Sequence, residues 1–134
     1  MNGPRTPEER ERRIRLWTAA LTSGEYPQTT GSLRDRRGFC CLGVACEVYR
    51  KETGEGVWIE DVEWRFLGHE GDLPTRVAEW LLGDQWLTDP AVDVVGVDSP
   101  LPLSVVNDRR VPFTDIADLI ETQLLEQPPP PEGS

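Results

Sequence analysis

The residue best suited to chemistry in this sequence is Cys40, which lies just ahead of an apolar run typical of a helix. Unpaired backbone N–H groups and the positive end of the helix dipole stabilise a thiolate at such a position. A cysteine hydrolase also needs an imidazole base and a polar group that orients it. The single histidine, His69, could be the base, and Asp72, Asn107 or Asp108 could orient it. Cys40, His69 and Asn107 therefore make up one hypothesis, which is a cysteine hydrolase.

The cysteines also allow a purely structural interpretation. Cys40, Cys41 and Cys46 fall within one short segment, among small apolar residues of the kind that fill a tightly packed core. An odd number of cysteines in one segment favours reduced thiols in a cytoplasm over a disulfide framework. Their spacing lacks the paired Cys-x2-Cys units of zinc sites, so we expect no metal and no cofactor.

Arginine residues ahead of the same helix suggest a different use of its N-terminus. Guanidinium groups beside free backbone N–H groups suit a phosphate or a carboxylate, and a glycine lets the backbone approach such a ligand closely. The alternative is a solvated loop whose arginines pair with acidic residues of this chain or of a neighbouring copy. The sequence thus predicts a candidate site for a small anionic ligand at Arg34, Arg36, Arg37, Gly38 and Cys40.

The charge of the chain indicates what kind of partner it could have. It has 14 basic and 24 acidic residues, for a net charge of −10, and most of the acidic excess falls in residues 52–98. This balance argues against direct nucleic-acid binding, which needs clustered cations. It suits a protein partner with a basic surface, although net charge also serves solubility alone.

Length and composition indicate one compact domain over residues 1–126, followed by a Pro-rich disordered tail at 127–134. No run of residues is long and apolar enough to cross a bilayer. The first twenty residues are too rich in Arg and Glu for a secretory signal, so we expect a cytoplasmic protein.

Periodicity predicts four helices. A capping box at residues 6–9 begins the first helix, and Gly24 ends it. Residues 39–51 form a second, Cys-rich helix, which Gly54 ends. It is apolar over most of its circumference and is therefore expected at the centre of the domain. Gly43 within it costs about 1 kcal/mol in helix propensity, which predicts the close approach of another backbone. A narrow polar strip holds the remaining positions of this helix, namely Cys40, Gly43, Glu47, Arg50 and Lys51.

The rest of the chain completes an α+β fold that is mostly helical. Alternation over residues 57–67 predicts a small β-hairpin, in which Val62, Trp64 and Phe66 share one face. Residues 73–82 and a segment that begins at Phe113 form the other two helices, and residues 84–104 read as a loop with a little extended structure. We expect four helices, in which the first, third and last surround the central Cys-rich helix, with the hairpin beside them. Trp58 and Trp86, which lie next to acidic residues, are candidates for an exposed protein-binding patch.

Several motifs in order resemble one family. They are Trp17-x3-Leu21-x-Ser23-Gly24-x-Tyr26-x-Gln28, Gly38-Phe39-Cys40-Cys41-Leu42-Gly43-Val44, Leu73-Pro74-x2-Val77-x2-Trp80, and Asn107-Asp108 ahead of Phe113-x2-Ile116-Ala117-Asp118-x-Ile120-Glu121. The chain resembles the small uncharacterised proteins of tailed phages and some bacteria that carry an F-C-C-L-G-V segment and an L-N-D…F-x-x-I-A-D-x-I-E ending. The resemblance implies a phage or actinobacterial setting. Residues 109–112 depart from the pattern, which has a Gly-containing turn there.

These observations together predict a small acidic accessory protein, phage-associated and cytoplasmic in a bacterial host, that acts by binding. Its partner would be a host protein with a basic surface, or a small anionic ligand at residues 34–40. Two alternatives remain open, which are the cysteine hydrolase above and a structural component of the virion.

Overall fold

The computed structural model describes residues 3–59, 65–67, 72–83 and 89–125. The predicted α+β fold, mostly helical, is confirmed. His69 and the tail at 127–134 lie outside the described residues, as do Val62, Trp64 and Trp86. The elements in chain order are α1 Pro7–Thr22, α2 Cys41–Thr53, β1 Trp58–Ile59, β2 Arg65–Phe66, α3 Thr75–Leu82, β3 Ala91–Val92, β4 Leu101–Pro102, α4 Leu103–Asp108 and α5 Phe113–Ile120, which continues as a π-helical turn over Glu121–Leu125.

The ends of the first two helices follow from their sequence signals. The Thr6 hydroxyl accepts a hydrogen bond from the backbone N–H of Glu9 at 3.0 Å, which confirms the predicted cap of α1. Gly54 ends α2 in the left-handed conformation, with φ of 75°, and its N–H donates to the Arg50 carbonyl.

Helix α2 is the interior of the molecule. Every residue from Cys41 to Tyr49 is buried, as predicted for an apolar helix at the centre of a small domain. Helices α1, α3 and α4 contact α2 directly, whereas α5 packs chiefly against α1. The buried side chains of α5, such as Ile116 and Ile120, join the same core as those of α2.

The segment ahead of α5 holds more regular structure than its Pro and Asp content predicts. Helix α4 occupies only six residues, and β3 and β4 form a short antiparallel hairpin, with Val92 opposite Leu101. Apolar contacts decide this local structure, because Leu103, Val106 and Val92 are all buried.

The predicted hairpin forms as β1 and β2, which pair antiparallel with Trp58 opposite Phe66 and Ile59 opposite Arg65. Trp58 and Phe66 face the core, where their ring centroids are 4.9 Å apart. Because side chains alternate along a strand, Val57 and Ile59 project from the opposite face. Among the described residues, no helix is long and apolar enough to cross a membrane.

Candidate functional site

Residues 27–39 form an irregular loop that covers the N-terminal end of α2. The N–H of Phe39 donates to the Pro27 carbonyl at 2.8 Å, and the N–H of Thr29 donates to the Phe39 carbonyl at 2.8 Å. The N–H of Cys40 donates to the Leu33 carbonyl at 3.0 Å. These backbone bonds hold the loop on the first turn of the helix.

Gly43 is the position where loop and helix meet most closely. A Cβ atom at Gly43 would lie 1.9 Å from the carbonyl oxygen of Leu33, which is far inside van der Waals contact. The close backbone approach predicted from a glycine within a helix is therefore confirmed, and its partner is Leu33.

Four residues, Gln28, Thr29, Cys41 and Asn107, form what we call the Asn107 junction. The Asn107 side-chain oxygen accepts from the Cys41 N–H at 3.2 Å and from the Gln28 amide at 3.1 Å. Its amide nitrogen donates to the Thr29 carbonyl at 2.7 Å. Asn107 is fully buried, so these bonds satisfy a polar group that would otherwise be costly in the core. The junction joins the loop, α2 and α4.

Cys40 precedes Cys41 of the Asn107 junction in the chain, and it does not face solvent. The helical wheel places it on the polar strip of α2, yet it is only 4% exposed, which agrees with the structural interpretation of the three cysteines. Its sulfur accepts from the Gly43 N–H at 3.4 Å. Burial raises the pKa of the Cys40 thiol from 9.0 to about 11, although hydrogen bonds from the backbone of Gly43 and Leu42 oppose the shift. The thiol is therefore protonated at neutral pH.

Of the other members of the predicted catalytic set, His69 lies outside the described residues, and the side chains of Asn107 and Asp108 are bonded to other parts of the chain. Asn107 uses its side chain within the junction, and the Asp108 carboxylate accepts from the Gly31 N–H at 2.9 Å. Burial also raises the pKa values of the Cys41 and Cys46 thiols. Among residues 3–59, 65–67, 72–83 and 89–125, no group of His, Cys, Asp and Glu could hold a metal ion.

Three backbone donors of the predicted anion site, at Arg37, Gly38 and Cys40, already have acceptors within the chain. The carboxylate of Asp35 accepts from the N–H groups of Arg37 and Gly38 at 2.7 and 3.2 Å. It also accepts from the Thr29 hydroxyl at 2.7 Å. Burial alone would raise the pKa of Asp35, but these three hydrogen bonds outweigh it and hold the pKa below its usual range. The chain thus supplies its own anion at this position, while Arg36 and Arg37 are exposed.

Arg34 lies apart from those two arginines, against a row of aromatic rings. Its guanidinium is 4.8 Å from the ring centroid of Phe39 and 5.4 Å from that of Trp58. Tyr26 packs edge-to-face on Phe39 at 5.3 Å, and its hydroxyl accepts from the Lys51 ammonium at 2.7 Å. Two cations of the chain itself, Arg34 and Lys51, therefore already lie against this row of aromatic rings.

A buried carboxylate fixes the hairpin on α2. Glu47 accepts from the Trp58 indole N–H at 2.7 Å and from the Arg50 guanidinium at 2.7 and 3.1 Å. Burial would raise the pKa of Glu47, but these donors lower it overall. The predicted polar strip of α2 is thus covered by the loop at Gly43 and by the hairpin at Glu47, whereas Lys51 at its end is exposed.

The opposite side of the hairpin is apolar and faces water. We call Val57, Ile59 and Leu67 the hairpin outer face, and these residues are 69%, 58% and 37% exposed. The sequence prediction of an exposed patch named Trp58, which is half-buried, and missed its two neighbours. Alternation could have identified them only if the buried side of the strand had been known.

The comparisons with known proteins give one match. The model of a family described as a domain of unknown function, DUF8296, matches residues 10–124. No curated protein and no solved structure matches the chain.

Proposed function

The chain belongs to the DUF8296 family, and we propose that it acts by binding a protein with a basic surface, without turnover. The setting we propose is the cytoplasm of a bacterial host, where the chain would serve as a phage-associated accessory protein. The motif resemblance described above supports that setting. A net charge of −10 supports the choice of partner, because opposite charge steers association and disfavours acidic competitors.

The observation that carries the proposal is the burial of Cys40 within a completed network. A nucleophilic thiol must be accessible and ionised near neutral pH, and burial raises the pKa of this thiol to about 11. Its sulfur accepts from the N–H of Gly43, and only 4% of the residue is exposed. These features favour a binding role over a cysteine hydrolase.

The hydrogen bonds at the N-terminal end of α2 also argue against a small anionic ligand there. The N–H groups of Arg37 and Gly38 are bonded to Asp35, and the N–H of Cys41 is bonded to Asn107. An incoming phosphate would have to displace these acceptors, so we place the binding function on a protein partner.

Affinity capture from the bacterial host, followed by reconstitution with the purified captured protein, tests this function. We expect a saturable complex with a basic protein, with an affinity that falls steeply as ionic strength rises. A complex that is insensitive to salt, or a captured partner that is acidic, would overturn the proposal. So would incorporation of the chain into purified virions at fixed stoichiometry, which indicates a structural component.

A further inference from the structure

The hairpin outer face is the main concentration of exposed apolar surface in the described part of the chain. Among all the described residues, five large apolar side chains are more than a third exposed. Three of them, Val57, Ile59 and Leu67, share this face. Residues 57 and 59 alternate along β1, and the register of β1 with β2 places residue 67 across from residue 57. Contiguous apolar surface of this kind marks interaction sites.

The outer face is not needed to hold the hairpin in place. The inner face does that, through the indole of Trp58 on Glu47 and the fully buried ring of Phe66. The Phe66 ring also packs edge-to-face on Tyr49, with centroids 6.4 Å apart. Since the hairpin is anchored from inside, its apolar outer residues have no evident role in the stability of the monomer.

The charge of the surrounding chain indicates what would cover this face. Residues 52–72 contain seven acidic residues against one basic residue, Arg65. Of these, Glu52 and Glu55 lie beside the start of β1, with side chains 37% and 53% exposed. They form solvent-exposed ion pairs with Arg12 and Arg76, and exposed pairs of this kind are weak enough for a partner's cations to compete with them. An apolar centre within an acidic stretch is complementary to an apolar segment flanked by Lys or Arg.

We infer that the hairpin outer face is the docking surface for a basic, amphipathic segment of a partner protein. Its apolar side chains cover Val57, Ile59 and Leu67, and its cations lie near the carboxylates. This inference rests on the proposed function and adds the surface and the chemistry of the segment that binds there.

Titration of the isotope-labelled full chain by NMR with a synthetic peptide of alternating Val and Lys tests the surface. We expect chemical-shift changes centred on β1 and β2, and binding at least tenfold weaker in the double variant V57S/I59S. The matched control is V95S/V105S, which removes two exposed apolar side chains elsewhere and is expected to bind as the wild type does. All four positions are exposed, so both variants are expected to fold.

Two further peptides separate the possible failures. A peptide of alternating Val and Glu tests the need for cations, and a peptide of alternating Ser and Lys tests the need for apolar side chains. We expect both to bind at least tenfold more weakly than the peptide of alternating Val and Lys. Shifts centred away from the hairpin, or equal loss in both double variants, would overturn the docking surface while leaving a basic partner in place. Equal binding of the Val-Lys and Val-Glu peptides would overturn the basic partner itself.

Discussion

The N-terminal end of α2 and the hairpin outer face use their side chains in opposite ways. At the end of α2, polar groups that could hold a ligand are bonded within the chain, as Asn107 is to Cys41 and Thr29. On the hairpin, Val57 and Ile59 face solvent although the residue between them, Trp58, is docked on the core. Among the described residues, Cys40 and Asn107, whose types are associated with catalysis, thus serve the interior.

The difference shows how a helix N-terminus loses its capacity for chemistry. A thiol at that position is activated only if the N–H groups and the sulfur remain accessible. Here the loop over residues 27–39 lies on the helix because Gly43 permits it, and Cys40 becomes part of the core. Substitutions in each region should therefore have effects of different kinds, on stability at α2 and on binding at the hairpin.

The largest effect on stability is expected from Gly43→Ala. Helix propensity alone would make this change favourable by about 1 kcal/mol. The new Cβ atom, however, would lie 1.9 Å from the Leu33 carbonyl oxygen, so the loop must move off the helix. We expect a net loss of about 3 kcal/mol in the free energy of unfolding, measured by urea denaturation. A gain in stability would mean that loop and helix are not in contact.

Asn107→Ala should destabilise the protein by about 2 kcal/mol in the same measurement. The change leaves the N–H of Cys41 and the carbonyl of Thr29 buried without partners. Asp108→Ala is the control, because the exposed Asp108 carboxylate makes one hydrogen bond, to the N–H of Gly31. Equal effects of the two changes would argue against a special role for the Asn107 junction.

Glu47→Gln should reduce the free energy of unfolding at neutral pH by about 1 kcal/mol. The change removes the negative charge of a carboxylate that accepts hydrogen bonds from Arg50 and Trp58. The lowered pKa of Glu47 also sets a pH dependence. Its contribution is fully present above the ordinary carboxyl value of 4.5 and is lost as pH falls through the native pKa. Denaturation between pH 7 and pH 3 should thus show a shallower acid loss in the variant, and parallel curves would contradict this coupling.

The smallest effect is a stabilisation, expected from Arg110→Gly. Arg110 has φ of 65°, in the left-handed region that favours glycine. We expect a gain of about 0.5 kcal/mol, since relief of strain exceeds the added entropy of the unfolded chain. Arg109→Gly, at φ of −79°, should instead destabilise. A loss in both variants would show that the turn carries no strain.

Much of the fold could be predicted from local sequence signals. The Thr6 cap, the Gly54 stop and the apolar circumference of α2 are properties of short segments, and the structure bears them out. Gly43 also predicted a close contact, because a glycine within a helix is unfavourable unless another part of the backbone packs against it. Helix α4 was missed since its six residues follow a Pro- and Asp-rich run, and long-range packing of Leu103 and Val106 decides it. Arg110 adopts the left-handed conformation in the turn ahead of α5, and α5 begins at Phe113, as the sequence predicts.

The candidate site was less predictable because it depends on contacts between distant segments. A helical wheel shows which side of α2 Cys40 occupies, but it cannot show that Leu33 and Asn107 cover that side. Likewise, alternation in β1 separates Trp58 from its neighbours without showing which face is buried. The core assigns the inner face to Trp58 through Glu47, so Val57 and Ile59 project outward.

The most direct test of a buried N-terminal end of α2 is the reactivity of the native thiols with a small disulfide reagent near pH 7.5. Mass spectrometry identifies which cysteine is modified. We expect Cys40 to react only as fast as the protein unfolds, with a rate that rises with denaturant alongside those of Cys41 and Cys46. Rapid modification of Cys40 alone, in the folded protein without denaturant, would contradict a buried and protonated thiol and would restore the hydrolase hypothesis.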